Sequence, residues 1–129
     1  MTDFMKSDKI ISKKSFLLSL ARSFVRFYLP GWKVRFTQDV ESFGQCLGDE
    51  ELIELSLPLA EVGTITDFLE TVLHEIAHGL TWQEEKAHGP KWKKMCRLLG
   101  CPTTATSGKR GGELKRLVGK AEDISCKNK

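Results

Sequence analysis

The stretch HEIAHGLTWQEEKAHGPKW, residues 74–92, contains all three histidines of this 129-residue chain. His74 and His78 lie four residues apart with Glu75 between them, and His88 follows ten residues after His78, directly before Gly-Pro. Residues i and i+4 are neighbours on a helix, so the two imidazoles can reach one metal ion. The pattern therefore indicates a metal site, and the alternative is an exposed helix whose histidines bind nothing.

The residues around the first two histidines predict one amphipathic helix that begins at Thr64. Thr64 and Asp67 resemble a capping box. Apolar side chains then recur at helical spacing and form one continuous stripe: Ile65, Phe68, Leu69, Val72, Leu73, Ile76 and Leu80. At about 100° per residue, His74 and His78 fall on the face opposite this stripe, and Glu75 falls at the border between the faces. A complete core stripe on the other side favours metal binding by the two histidines.

The third ligand is open between a histidine and a glutamate. A metzincin would need glycine and histidine at the positions that Thr81 and Glu84 occupy, so that class is excluded. Glu84 and Glu85 are alternative ligands, because some zinc sites combine two histidines with a carboxylate. We favour His88, since imidazole suits zinc and the loop before His88 is short enough to fold back.

These residues predict a hydrolytic zinc site. Catalytic zinc sites use three protein ligands and leave a fourth position for water. We therefore expect one Zn²⁺ bound by His74, His78 and His88. Glu75 cannot point the same way as the two ligands on its helix, but it can reach the metal-activated water as a general base. The prediction makes Glu75 the catalytic residue.

The strands are predicted from alternation and turn residues. Residues 32–36, WKVRF, alternate as a half-buried strand. Gly48-Asp49 predicts the two-residue turn of a hairpin. The strand after it ends at Pro58, and its apolar residues face one way: Ile53, Leu55 and Leu57. The acidic residues on its other face suit an exposed edge of the sheet. We expect a three-stranded antiparallel sheet.

Two further helices complete an α+β fold. Ser15–Leu29 predicts an amphipathic N-terminal helix that Pro30-Gly31 ends. Pro90 starts the helix after the histidines, and Gly100 ends it. The expected order is therefore the N-terminal helix, the sheet, a zincin-type active-site helix and the following helix.

Composition and charge limit the cellular compartment and the partners that we expect for the chain. No stretch is long and apolar enough to span a membrane, and no signal peptide is recognisable, so we expect a cytoplasmic protein without a membrane partner and with free cysteines. The formal charge is +6 over residues 1–35, −12 over residues 36–85 and +9 over residues 86–129. The basic ends are solvated surfaces or contacts to nucleic-acid phosphates, and charge alone does not decide between them.

The sequence resembles the SprT-like family of zinc metallopeptidases, which includes the Spartan proteases. The family pattern is H-E-x-x-H, a variable loop and then H-G-x-x-[FW], and HEIAH, residues 74–78, with HGPKW, residues 88–92, matches it. The resemblance implies zinc ligation by the three histidines, a general base at Glu75 and cleavage of proteins, some of them bound to DNA. It also implies an edge strand beside the cleft, for which we expect the strand around Ile53. We expect Trp92 to pack beneath the site, with a substrate contact as the alternative, because Met95, Cys96 and Leu99 share its helix face.

The resemblance to small stand-alone bacterial or phage members sets the expected organisation. Residues 1–14 form a basic N-terminal segment, residues 15–102 the SprT-like metallopeptidase domain, and residues 103–129 a basic polar tail. A short helix in this tail can form from its apolar residues: Leu114, Leu117, Val118 and Ala121. The cysteine zinc ribbon of many bacterial relatives is not expected, because only Cys101 and Cys126 follow the motif.

The main functional hypothesis is a zinc metallopeptidase that acts on protein or peptide substrates, including DNA-associated proteins, in a bacterial or phage-infected cell. The sequence does not determine the oligomeric state, and a monomer is the default. The alternative is a nucleic-acid-binding module whose metal site is structural or vestigial, although structural sites normally have four protein ligands. A third hypothesis is a metal-dependent hydrolase with a substrate other than protein.

Overall fold

The computed structural model describes residues 13–84, 86–103 and 111–119. Their elements, in chain order, are α1 (Lys13–Tyr28), β1 (Lys33–Thr37), β2 (Gly44–Leu47), β3 (Leu52–Ser56), α2 (Leu57–Val62), α3 (Ile65–Leu80), α4 (Pro90–Leu99) and α5 (residues 111–119). A 3₁₀ turn, Gly48–Glu50, joins β2 to β3. The predicted α+β class is confirmed. In the described residues no helix is long and apolar enough to cross a membrane.

The sheet is mixed, so the prediction of an antiparallel sheet is wrong for one of its two pairings. β3 pairs with β2 in antiparallel register, which confirms the hairpin, but it pairs with β1 in parallel. The hairpin connection is the four residues 48–51, so the predicted two-residue turn at Gly48-Asp49 is wrong. The strand order is β1-β3-β2, because the chain passes from β1 to the far side of the sheet before the hairpin returns β3 to the middle. The alternation of apolar and polar residues in 32–36 predicts a strand, but this pattern is the same whether the partner strand runs parallel or antiparallel.

β3 is therefore the central strand, and the prediction that it forms an exposed edge is wrong. Four of its five residues are buried. The remaining one, Glu54, is half-buried and binds Arg35 of β1 through an ion pair with an N–O distance of 2.6 Å. The acidic side chain that suggested an exposed edge is thus paired with a basic side chain of the neighbouring strand. The edge strand on this side of the sheet is β2.

A short helix, α2, replaces the predicted end of the last strand. Ser56 caps it, since its hydroxyl accepts a hydrogen bond from the backbone N–H of Leu59 at 3.3 Å. Pro58 lies in the first turn, where its missing N–H costs nothing. Leu57 is consequently the first residue of a helix and not the last residue of a strand. A serine followed two residues later by a proline, as in Ser56 and Pro58, is typical of a helix start and indicates this one in the sequence.

The two helices around the histidines are confirmed. α3 begins with the predicted capping box, in which Asp67 N–H donates to Thr64 Oγ1 at 3.1 Å and Thr64 N–H donates to Asp67 Oδ2 at 2.8 Å. α4 starts at Pro90 and ends at Gly100, whose φ of 80° is the left-handed conformation that favours glycine. The apolar stripe of α3 packs on α1 and on the sheet in one core cluster that contains Val25, Ile53, Val72 and Ile76, among others.

α5 lies within the segment that the sequence predicts to be a polar tail. Leu114 and Val118 are 3% and 5% exposed and pack with Leu59 of α2 in a second apolar cluster. Leu117, on the other face of α5, is 42% exposed. Ala121, which was predicted to belong to the same helix, lies outside the described residues, as does most of the N-terminal segment.

Candidate metal centre and active site

The three histidines predicted as ligands come together in the structure. α3 carries His74 and His78 one turn apart, and His88 lies just before α4. Nε2 of His88 is 3.0 Å from Nε2 of His78 and 3.4 Å from Nε2 of His74. The ligand atoms of all three lie within 4.8 Å of one another, so together they can hold one metal ion.

The chemistry of the cluster fits a divalent transition metal. Burial, together with the neighbouring imidazoles, lowers the pKa of His74 and of His78 to about 4. Both rings are therefore neutral at pH 7, where each can offer a nitrogen lone pair to a metal. A cation between nitrogens that face one another would satisfy those lone pairs, and neutral imidazole is a preferred ligand of zinc and its neighbours in the periodic table.

Glu84 fixes the position of His88 through the start of α4. The N-cap residue of this helix, Gly89, has no side chain to accept hydrogen bonds from the first turn. The carboxylate of Glu84 does so instead: Oε2 accepts from Lys91 N–H at 2.9 Å and Oε1 from Trp92 N–H at 3.1 Å. Both oxygens of this alternative ligand are thus engaged by the helix. Glu85, the other alternative, lies outside the described residues.

Trp92 forms the floor beneath the three imidazoles, and its predicted packing role is confirmed. Its side chain is fully buried. The indole stacks on His78 with ring centroids 5.2 Å apart and an interplanar angle of 20°, and it meets His74 and His88 edge-on at 4.9 and 4.5 Å. Its Nε1–H donates to the backbone carbonyl of His74 at 3.4 Å. The indole therefore restricts the orientation of all three rings.

Glu75 lies beside the histidine cluster. Its side chain is 8% exposed, and its Oε2 is 4.0 Å from Nε2 of His74. Burial raises the pKa of this carboxyl to about 8, and a cation held by the histidines would lower it again, because a nearby positive charge favours the ionised carboxylate. Gly44 of β2 packs directly against it, since a Cβ on Gly44 would lie 3.0 Å from Cγ and 3.2 Å from Oε2 of Glu75. α3 supplies this carboxyl group, and the edge strand β2 confines it beside the histidines.

An open cleft of about 910 Å³ leads to these residues. β2 forms one wall of it, so the strand beside the cleft is β2 and not, as predicted, the strand around Ile53. Cys46 of β2 also lines the cleft, but burial and the nearby Glu75 raise the pKa of its thiol to about 12. This cysteine stays protonated at neutral pH and is not a thiolate nucleophile.

Sequence reasoning missed three residues of the site. Gly44 and Trp82 carried no local signal, because their roles depend on contacts between the sheet and α3. Glu84 was interpreted as a solvated loop residue or an alternative ligand. A signal for its capping role was present, since Gly89-Pro90 starts a helix without a side-chain cap and a carboxylate stands five residues before Gly89.

A model of the SprT-like family matches residues 14–110, which are 97 of the 129 residues. The match contains α1 except its first residue, the elements from β1 to α4, the three histidines and Glu75, whereas α5 lies beyond it. No curated protein and no solved structure gives a significant match to the chain. This family depends on a metal ion, and the histidine cluster can hold one. By the family match, the chain belongs to the SprT-like family, which is associated with a metallopeptidase-type fold.

Proposed function

We propose that the protein is a zinc-dependent metallopeptidase, with one Zn²⁺ held by His74, His78 and His88 and with Glu75 as the general base. The observation that carries this proposal is the arrangement at the base of the cleft. Three imidazole Nε2 atoms face one another there, and a buried carboxylate lies 4.0 Å from one of them. Three protein ligands in an open cleft are typical of catalytic zinc sites, whereas structural sites are closed by four.

The reaction is the hydrolysis of a peptide bond. When bound, zinc supplies Lewis acidity, which lowers the pKa of a water towards about 7 and polarises the substrate carbonyl. Glu75 Oε2 accepts the proton that this water loses as its oxygen bonds to the carbonyl carbon. The same oxygen then delivers the proton to the amine nitrogen as the carbon–nitrogen bond breaks. Burial of Glu75 keeps bulk water from competing for that proton.

We further propose that the substrate binds as an extended strand beside β2. Residues of β2 line the cleft, and the outer edge of β2 has no strand partner among the described residues. A free strand edge offers backbone N–H and C=O groups to an extended peptide, a recurring mode of peptide recognition. Gly44 starts this strand next to Glu75, so a peptide paired with β2 passes the carboxylate.

The test is the variant Glu75→Gln, which keeps the shape of the side chain but cannot accept a proton. We expect about one zinc per chain by elemental analysis and a loss of at least about 100-fold in the rate of casein or peptide cleavage. Glu70→Gln is the matched control, because Glu70 is an exposed carboxylate on the same helix and the same cleft. Its rate should stay within about threefold of wild type. Cleavage by Glu75→Gln within tenfold of wild type would contradict the general-base role.

A second candidate function, binding of nucleic acid, is favoured by the basic surface of α4. Four of the ten residues of α4 are basic and exposed: Lys91, Lys93, Lys94 and Arg97. Such a surface suits phosphate contacts whose strength falls with salt. The same cleavage measurements with and without single-stranded DNA, beside a salt-dependent mobility-shift assay, separate the two functions. DNA binding without cleavage would favour the binding module, and DNA-stimulated cleavage would support action on DNA-associated proteins in the cytoplasm.

A further inference from the structure

Trp82 is a large aromatic side chain that remains 45% exposed within the cleft. The backbone of the neighbouring residues is held by hydrogen bonds: Thr81 N–H donates to the carbonyl of His78 at 3.2 Å, and Glu84 N–H donates to the carbonyl of Thr81 at 2.9 Å, which closes a turn around Trp82. The indole is thus presented to the cleft from a defined turn. An apolar surface of this size, kept open to water beside a candidate active site, is suited to binding an apolar group.

The indole lies against Gly48, the first residue of the turn between β2 and β3. A Cβ on Gly48 would lie 2.6 Å from Cδ2 and from Cε3 of Trp82, which is too close for any side chain. Trp82 therefore occupies space that only a glycine leaves free. The contact joins the end of α3 to the end of the edge strand, so the ring closes one end of the cleft where a peptide paired with β2 would leave the strand.

The two ends of the cleft differ in chemistry. Three carboxylates line the end towards the start of α3: Glu41, Asp67 and Glu70. The end beyond His78 carries the indole of Trp82, with Asp49 and Lys86 exposed at its rim. Asp49 and Lys86 carry opposite charges, so this rim favours neither an anionic nor a cationic side chain over the ring. An aliphatic or aromatic side chain is the group that this end fits.

We propose that Trp82 forms a substrate subsite for a large aliphatic or aromatic side chain. The inference rests on the proposed peptidase function and names a specificity residue for it. Trp82 lies just past the end of α3, whose last residue is Leu80, so its ring stands beyond His78 at the end of the cleft away from the start of the helix. The recognised side chain therefore lies at one fixed distance from the cleaved bond. Because side chains alternate along a strand, the preference is confined to one position.

The test uses nine-residue peptides of one sequence in which each position in turn carries Phe, Leu, Lys or Ala. For the wild type with zinc, we expect Phe or Leu at one fixed distance from the cleaved bond to raise kcat/KM about tenfold over Ala. Trp82→Ala should reduce this ratio to about one. Gly48→Ala should reduce it as well, because the added methyl group displaces the ring. Trp82→Leu should retain the preference for Leu.

Phe27→Ala is the matched control, since Phe27 is an exposed aromatic on α1 that does not line the cleft. It should keep the Phe to Ala ratio of the wild type. A preference that survives Trp82→Ala, a preference for Lys at this position, or cleavage without any positional preference would overturn the subsite. Thermal unfolding of each variant verifies that it is folded.

Binding is measured separately by calorimetric titration of the same peptides into Glu75→Gln protein. The subsite predicts about tenfold tighter binding of the best Phe peptide than of the Ala peptide, and loss of this difference in the double variant with Trp82→Ala. Phe-dependent binding without cleavage by the wild type would contradict the peptidase proposal and support the subsite. Cleavage without a Phe preference would overturn the subsite alone, and the absence of both binding and cleavage would overturn both.

Discussion

Glu84 is the single residue that links the ligand loop to the helix behind it. Its two carboxylate oxygens accept hydrogen bonds from the N–H groups of Lys91 and Trp92, and its Cδ would lie 2.9 Å from a Cβ on Gly89. A negative charge at a helix N-terminus is favourable, because the unpaired N–H groups there carry partial positive charge. His88 immediately precedes Gly89, so the contacts of Glu84 also set the position of the third imidazole.

We predict that Glu84→Ala destabilises the protein by about 1 kcal/mol, the usual cost of losing a helix cap, and weakens zinc binding about 10- to 100-fold. Urea unfolding and competition with a chromophoric chelator measure the two effects. Gln83→Ala, at the exposed neighbouring position, should change neither. His88→Ala should lower the zinc content more than Glu84→Ala does. The reverse order, without a change in stability, would make Glu84 the third ligand.

At the scale of elements, the candidate active site depends on how closely β2 approaches α3. The approach is possible because Gly44 has no side chain between the strand and Glu75. Gly44 also faces its own sheet partner, since a Cβ there would lie 3.1 Å from the backbone oxygen of Glu54. A flexible carboxylate can move away from an added methyl group, but the backbone of the central strand cannot. This single glycine therefore couples the sheet to the carboxyl group of Glu75.

Gly44→Ala should accordingly destabilise the protein by about 1–2 kcal/mol, as overpacking commonly does. It should also lower kcat about tenfold at unchanged zinc content, because the methyl group displaces Glu75 and not the histidines. Gly112→Ala in α5 is the control, since a Cβ there meets nothing within 4 Å. It should be neutral or stabilising by about 0.5 kcal/mol. Loss of zinc in Gly44→Ala would show that β2 positions the ligands as well.

At the scale of the whole molecule, α5 joins the domain although it lies beyond the family match. Leu114 and Val118 insert into a cluster with Leu59, around which Val40 and Phe43 also pack. Val40 and Phe43 belong to the segment that leads into β2, and Phe43 carbonyl accepts a hydrogen bond from Ser56 N–H at 2.9 Å. Packing of α5 thus stabilises the entrance to the edge strand, and α5 also lines the cleft.

We predict that Leu114→Ala lowers the free energy of unfolding by about 2–4 kcal/mol, the usual cost of removing a buried leucine side chain. Leu117→Ala, on the exposed face of the same helix, should cost no more than about 0.5 kcal/mol. Urea unfolding followed by tryptophan emission should give one cooperative transition for both variants. Equal effects of the two substitutions would indicate that α5 does not pack on the domain in solution.

The sequence by itself determined the elements whose signals are local. The capping box of Thr64 and Asp67, the proline and glycine that bound α4, and the stripe at helical spacing all act within a few residues, so α3 and α4 could be predicted together with the three histidines that the structure brings within 4.8 Å. The wheel position of Glu75, at the border of two faces, also anticipated its buried place beside the cluster.

The tertiary structure decided what depends on contacts between distant segments. Alternation predicts a strand but not the direction or order of its partners, so only the fold reveals that β3 is central and β2 borders the cleft. Gly44, Glu84 and Trp82 acquire their roles from neighbours on other elements, which no local pattern encodes. Helical spacing brings ligands together within one turn, whereas the shape of the cleft around them arises from packing across the whole chain.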